Sequence, residues 1–498
     1  MVSTVFSIAI SGINAIKVIV ETDSSSGLPA FNIVGLPDSA VRESRERVIS
    51  AIKSLGYRLP PKRITVNLSP ADLKKEGAMY DLPIAIGVLS SSLGVKLDKL
   101  ANYLVAGELS LSGKLRRCSG ILPMAILAKK LGKGLIIPYE NSLEAGLVEQ
   151  IEILAIKHLS EITNFENIER FSPGSIDNNS HSYNVDFADV KGQPLAKRAA
   201  LVAAAGYHNM LMIGPPGSGK TMIASRIPTI MPPMDKDEII ETTTIYSVAG
   251  MLPDNSYITT RPFRAPHHTI SDVALVGGGT IPRPGEISLA NRGVLFLDEL
   301  AEFKRSTLEV LRQPIENGFV NISRAHSNVT YPARFMLVTA SNPCKCGNYG
   351  NPFKECNCKT SDIIRYRSKL SGPLLDRIDI MIEVPAISYT KTKEASSTSS
   401  SEMRDMVLSA LQRQKKRFGK TMFNSQMSSE DLNIYAKLNS DTEAILIKSA
   451  EKFGLSLRGI NRVRKVSRTI ADIAGHDRIE ENDLLEALQY REFSFNSL

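Results

Sequence analysis

The sequence predicts an α/β nucleotide-binding domain of the P-loop type, closed by a C-terminal helical lid and preceded by a separate α+β domain. Three observations predict it. Residues Gly214–Thr221 read Gly-Pro-Pro-Gly-Ser-Gly-Lys-Thr directly after the apolar run Met210–Ile213. A second apolar run, Gly293–Leu297, ends in Asp298-Glu299. Residues 403–498 carry helical patterns throughout.

The first element is a strand that ends in a glycine-rich turn and restarts as a helix. Such a turn faces backbone N–H groups and a positive helix end toward phosphates. Gly214, Gly217, Ser218 and Gly219 form the cradle, Lys220 reaches the β/γ-phosphates and Thr221 ligates Mg²⁺. The second strand presents Asp298 to support the ion and Glu299 to polarise the attacking water. A third strand, Arg334–Thr339, leads to Asn342, which can orient the same water. Singly, these are a glycine turn, a surface acidic pair and a strand-end cap. Together and in this order they indicate ATP and Mg²⁺.

A chain of 498 residues holds two to four domains. Its 43% apolar residues suffice for a large buried core. The formal charge of +8 suits an anionic partner without proving one. The first residues lack the basic start and apolar core of a signal peptide, and no 18-residue apolar span occurs. A cytoplasmic protein without a membrane helix is therefore expected. Of five cysteines, Cys344, Cys346, Cys356 and Cys358 form two C-x-C pairs separated by nine residues rich in turn formers. This suits a tetrahedral Zn²⁺ site, with an iron–sulfur centre or unmetallated thiols as alternatives. Cys118 stands alone, as a packed thiol.

Residues 1–168 form the N-terminal domain, with a strand at Ile64–Leu68 and helices at Ser39–Leu55 and Leu82–Leu93. Ser39 is positioned to cap the first helix and Gly56 to end it. Residues 169–184 are a polar linker. Residues 185–390 hold the nucleotide motifs, opened by a basic, alanine-rich helix over Lys191–Leu201. Residues 391–402 read as an exposed polar loop. Helices follow at Met403–Lys416, Ser428–Leu438, Asn461–Ile473 and Glu481–Tyr490. The pair His267-His268 does not read as a metal site: neighbours on a strand point apart, and no acidic residue lies near in sequence.

Taken as a set, GPPGSGKTM, Arg261–Ser271 (RPFRAPHHTIS), GVLFLDEL, Ser371–Asp379 (SGPLLDRID) and Ser467–Asp472 (SRTIAD) resemble AAA+ ATPases of the magnesium chelatase family. With the N-terminal domain attached, the resemblance is to the ComM/YifB-like branch, over nearly the whole chain. It implies a hexameric ring that acts as an ATP-driven DNA helicase. Such a ring promotes branch migration as incoming single strands recombine, as in natural transformation, with single-stranded or branched DNA as the partner. It implies that Arg377 is an arginine finger entering a neighbouring protomer's site and that Arg458 is the second sensor, on the lid. It also implies two pore loops, Val276–Glu286 with Arg283 and Gly318–Tyr331 with Arg324 and His326. Arg283 and Arg324 would contact phosphates by charge alone, without reading sequence. The family module equally permits a protein-remodelling or chelatase-like ATPase without DNA activity. The N-terminal domain resembles the fold of Lon-type proteases and of ribosomal protein S5 domain 2. Met79 and Leu122 stand where that resemblance places the nucleophilic serine and its lysine. Neither replaces its counterpart chemically, so peptidase activity is not expected.

Overall fold

A computed structural model of the chain describes residues 2–95, 98–172, 174, 183–253, 257–279, 282–324, 327–370, 372–387 and 397–492. The N-terminal domain is built on strands β1 (Ser3–Ser11), β2 (Asn14–Ser25), β3 (Ala30–Val34), β4 (Arg63–Ser69), β5 (Tyr103–Val105), β6 (Glu108–Leu109), β7 (Leu115–Arg116), β8 (Gly134–Pro138) and β9 (Ile153–Ile156). Seven of them form one mixed sheet in the order β3-β4-β2-β1-β5-β8-β9, and β6 and β7 pair apart as a short hairpin. In β4, Ile64, Val66 and Leu68 are buried and their neighbours less so, the period of two of a sheet with one covered face. Every residue of β8 is buried, as in a parallel strand covered on both faces.

The helix Ser39–Ser54 buries Val41, Val48 and Ile52 along one stripe. Its cap is Asp38, not Ser39. The Asp38 carboxylate accepts the Val41 N–H at 2.8 Å, because Asp38 is the extended residue outside the helix and Ser39 already turns with it. The next long helix, Asp81–Leu93, ends at Gly94. Met79 and Leu122 both lie in the apolar core of this domain.

The second domain places β10 (Met210–Ile213), β11 (Phe263–Arg264), β14 (Val294–Leu297), β17 (Met336–Ser341) and β18 (Ile380–Glu383) in a parallel sheet, ordered β11-β14-β17-β10-β18. Between these strands, β12 (Gly277–Gly278) pairs with β13 (Arg283–Pro284), and β15 (Phe319–Arg324) with β16 (Ser327–Pro332). All residues of β10, β14 and β17 are buried. The alanine-rich helix runs Pro194–Gly206, later and longer than the sequence pattern suggests, since Pro194 suits a first helical turn.

Among the described residues, five α-helices make the C-terminal region: Ser400–Phe418, Ser429–Tyr435, Ser440–Phe453, Leu457–Ala474 and Glu481–Glu492. The first starts earlier than expected. Ser399 caps it in a reciprocal pair with Glu402, and Ser400 is buried with its hydroxyl 2.7 Å from that of Thr229. Ser397 accepts a bond from Lys197 Nζ at 2.7 Å. The serine run is thus partly docked rather than an exposed loop, while 391–396 lie outside the described residues. The helix Ser440–Phe453 has no counterpart in the sequence reading. It is capped by Asn439 with Thr442 and ended by Gly454.

The two domains touch directly. The helix Lys236–Ala249 packs on Ile121–Leu131, and Met234 and Ile239 join the N-terminal core. Gly120 N–H donates to Ser247 O at 3.1 Å, and Arg117 donates to the Leu252 and Pro253 carbonyls at 3.2 and 2.8 Å. Among the described residues no helix is long and apolar enough to cross a membrane.

Candidate active site

In an open parallel sheet, ligands bind beyond the carboxyl ends of the strands. Here β10, β14 and β17 all deliver sequence-predicted residues to that edge. The P-loop leaves β10 at Gly214, whose N–H donates to Ser341 O at 3.2 Å. This sets the loop beside the end of β17, where Asn342 follows. A Cβ on Gly214 would lie 2.1 Å from Val384 O, so only glycine allows this departure. Gly217 and Gly219 have φ of 78° and 92°, which curl the loop into the helix Lys220–Ile230.

Lys220 is buried, and its ammonium donates to the Gly214 and Pro215 carbonyls at 2.7 and 2.9 Å. Burial lowers its pKa from the ordinary lysine value, against the opposing pull of Asp298 and Glu299. Thr221 Oγ1 donates to Asp298 Oδ2 at 2.7 Å, so the two residues assigned to Mg²⁺ meet although far apart in sequence. Asp298 Oδ1 also accepts the Glu299 N–H at 2.8 Å, and Glu299 takes a left-handed conformation at φ 52°. A hydroxyl–carboxylate oxygen pair, a second carboxylate and a buried ammonium thus gather at the P-loop. That arrangement can hold a Mg²⁺-bound polyphosphate and activate water.

Sequence reasoning missed two residues here. Gln193 is 6% exposed, and its amide donates to Ser218 O at 3.1 Å and Pro385 O at 2.7 Å, propping the P-loop from below. Its only local signal is the Gly-Gln-Pro that opens the alanine-rich helix. The second is His268. The histidine pair does not splay apart on a strand: it lies in a loop, with ring centroids 4.1 Å apart. His268 Nδ1 lies 3.2 Å from Glu299 Oε2, so an acidic neighbour exists that sequence distance concealed. His268→Ala is expected to change the ATP turnover number severalfold while nucleotide affinity stays level. Equal shifts in both would contradict a role through Glu299.

The remaining assignments sit elsewhere in the chain. Arg377 is turned onto Glu316, at 2.7 Å, and the Pro373 carbonyl, at 2.6 Å. Arg458 is exposed in the first turn of Leu457–Ala474. Arg283 is exposed on the β12–β13 hairpin. Arg324 ends β15, but its side chain and His326 lie outside the described residues. The β15–β16 hairpin is not wholly projecting, since Val320, Ile322, Val329 and Tyr331 are buried.

The four cysteines of the insertion come together. Their sulfurs all lie within 4.8 Å of one another, with Cys344–Cys346, Cys346–Cys356 and Cys344–Cys356 at 3.4, 3.6 and 3.7 Å. A tetrahedron of thiolates about 2.3 Å from one Zn²⁺ has edges of about 3.8 Å, so the donor set fits a single ion. Backbone donation from Asn348 holds the Cys346 thiol down to about 6, toward the thiolate that a metal requires.

Known proteins match along the whole length. The chain is 44% identical over 497 residues to competence protein ComM of Haemophilus influenzae, covering 98% of this chain and 97% of that protein. The chain belongs to the ComM/YifB-like branch of the magnesium chelatase family of AAA+ ATPases. YifB of Escherichia coli is 43% identical over 498 residues, with 98% and 97% covered. Family models described as magnesium chelatase subunit ChlI, its C-terminal part, and subunit ChlI of Mg-chelatase match residues 186–392, 397–491 and 20–141. A stretch of 127 residues, 25% of the chain, is 30% identical to Lon protease 2 of Bacillus subtilis, covering 22% of that protein. ATP hydrolysis with Mg²⁺ is the activity that goes with this family.

Proposed function

We propose that the protein is an ATP-driven DNA motor, a hexameric helicase that promotes branch migration while incoming DNA recombines. The observation that carries this reading is the similarity to a protein named for competence, which covers 98% of this chain. In this reading Lys220 and Thr221 hold Mg²⁺·ATP, Asp298 supports the ion, Glu299 activates water and Asn342 orients it. Arg377 leaves Glu316 to enter a neighbouring site in the ring, where a guanidinium stabilises the charge of the transition state. Arg458 senses nucleotide from the lid. Cys344, Cys346, Cys356 and Cys358 hold zinc, and the hairpins bearing Arg283 and Arg324 meet the DNA backbone.

The deciding experiment is ATP hydrolysis by the purified oligomer without DNA and with single strands, duplex and a mobile four-way junction. Strong stimulation by the junction is expected. Turnover indifferent to every DNA would sink the motor and leave the protein-remodelling reading. Arg283→Ala is expected to weaken DNA binding alike for all sequences and to reduce its salt slope by about 1. An unchanged slope in a salt titration would remove Arg283 from the interface.

A further inference from the structure

We propose that the four-cysteine turn is a strut of the nucleotide site: with a metal ion bound, it holds Gly347 against Pro216 and so fixes the P-loop for ATP. The inference rests on the metal and nucleotide readings above. Cys344 is fully buried and follows Asn342 by two residues. Gly347, at φ 79°, is the next residue after Cys346, and its N–H closes a turn onto Cys344 O at 3.0 Å. A Cβ added to Gly347 would stand 2.7 Å from Pro216 Cδ, 2.8 Å from Pro216 Cγ and 3.9 Å from Asn342 Cγ. The glycine backbone therefore lies flat against the third residue of the P-loop and beside the candidate water-orienting amide.

The far side of the turn is clamped as well. Tyr349 N–H donates to Cys344 Sγ at 3.4 Å, and the Arg367 guanidinium sits 5.2 Å from the Tyr349 ring centroid while donating to Pro343 O at 3.2 Å. The turn has little apolar packing of its own. Lys345, Cys346 and residues 352–355 are exposed. A segment without a core takes its shape from cross-links, and four thiolates on one ion supply them; binding of the ion is then folding of the turn. Loss of the ion releases Gly347 from Pro216. The P-loop then keeps its support from Gln193 at Ser218 but loses it at Pro216. Gly347 is a positioning residue in this scheme, acting on phosphate binding through Pro216.

The test uses the full-length protein, its zinc content, and its affinity for a fluorescent methylanthraniloyl derivative of ATP with Mg²⁺. Wild type is expected to carry about one zinc per chain. Gly347→Val is expected to keep the zinc and bind the analogue about tenfold more weakly or worse, because its side chain overpacks Pro216 in addition to the strain that any Cβ meets at φ 79°. Pro216→Ala removes the two atoms that the new side chain meets, so the double variant should bind better than additivity of the single changes predicts. Independently of any substitution, chelation under reducing conditions should weaken analogue binding similarly, and zinc should restore it. Zinc-loaded, ATP-binding protein whose affinity ignores both Gly347→Val and verified zinc removal would overturn the strut. Wild type without zinc would instead overturn the metal reading, and wild type that does not bind the analogue would overturn the nucleotide reading.

Discussion

Replacing Glu299 by Gln is expected to lower ATP turnover by about 10²–10⁴-fold while Mg²⁺·ATP still binds. The side chain stands at the end of β14, one residue past the aspartate that touches Thr221. An amide of the same size keeps the packing but cannot take a proton from water. A hundredfold loss corresponds to about 2.7 kcal/mol of transition-state stabilisation. The groups proposed to hold the nucleotide, Lys220 and Thr221, are untouched by the change, so affinity should remain near wild type. Single-turnover hydrolysis alongside analogue binding separates the two effects. Wild-type turnover in Glu299→Gln would remove Glu299 from the role of base. Lost binding would mean that the carboxylate holds the metal instead.

What could be read from the sequence was whatever is encoded locally. The P-loop is contiguous, so the glycines that curl it and the lysine and threonine that open the next helix stand in one short run. Asp298 and Glu299 were legible because an apolar strand of four residues points at them, and the Thr221–Asp298 contact follows once both strands join one parallel sheet. The four cysteines were legible because turn residues fold the two C-x-C pairs back on each other. Contacts made across the fold were not legible. His268 meets Glu299 because β11 pairs with β14, a pairing that no residue near His268 announces. Gln193 reaches the P-loop from an unrelated helix start, and Gly347 reaches Pro216 from the cysteine insertion. The helix Ser440–Phe453 escaped because its buried stripe is thin: it buries Thr442, Leu446 and Ala450 while Ile447 stays exposed. The N-cap of the first helix went wrong by one residue because Asp38 and Ser39 are both good caps, and the backbone chose between them.

Asp379→Ala is expected to destabilise the join between sheet and lid by about 3–5 kcal/mol, seen as a lowered unfolding midpoint. Asp379 is 4% exposed at the start of β18. Its carboxylate accepts the Asn209 N–H at 3.0 Å and pairs with Arg462 of the lid helix Leu457–Ala474, while the buried His208 lies 3.6 Å away. Arg462 also donates to the Arg377 carbonyl at 3.1 Å, so the same guanidinium ties down the segment that carries the candidate finger. Burial works to raise the Asp379 pKa, but Arg462 and His208 outweigh it and hold the carboxyl well below the usual range. A depressed folded pKa gives stability that is fully present above the unfolded value of about 3.9 and is lost as pH falls through the folded value. The gap between wild type and Asp379→Ala should therefore be constant near neutrality and shrink only in acid. Removing the carboxylate leaves Arg462 without its partner on the sheet, so the loss exceeds that of an exposed pair, which is about 1 kcal/mol or less. Arg462→Met, which takes the charge away from the lid side, tests the same join: it should cost less when combined with Asp379→Ala than in the wild-type background. Strictly additive losses would show that the two residues do not act as a pair.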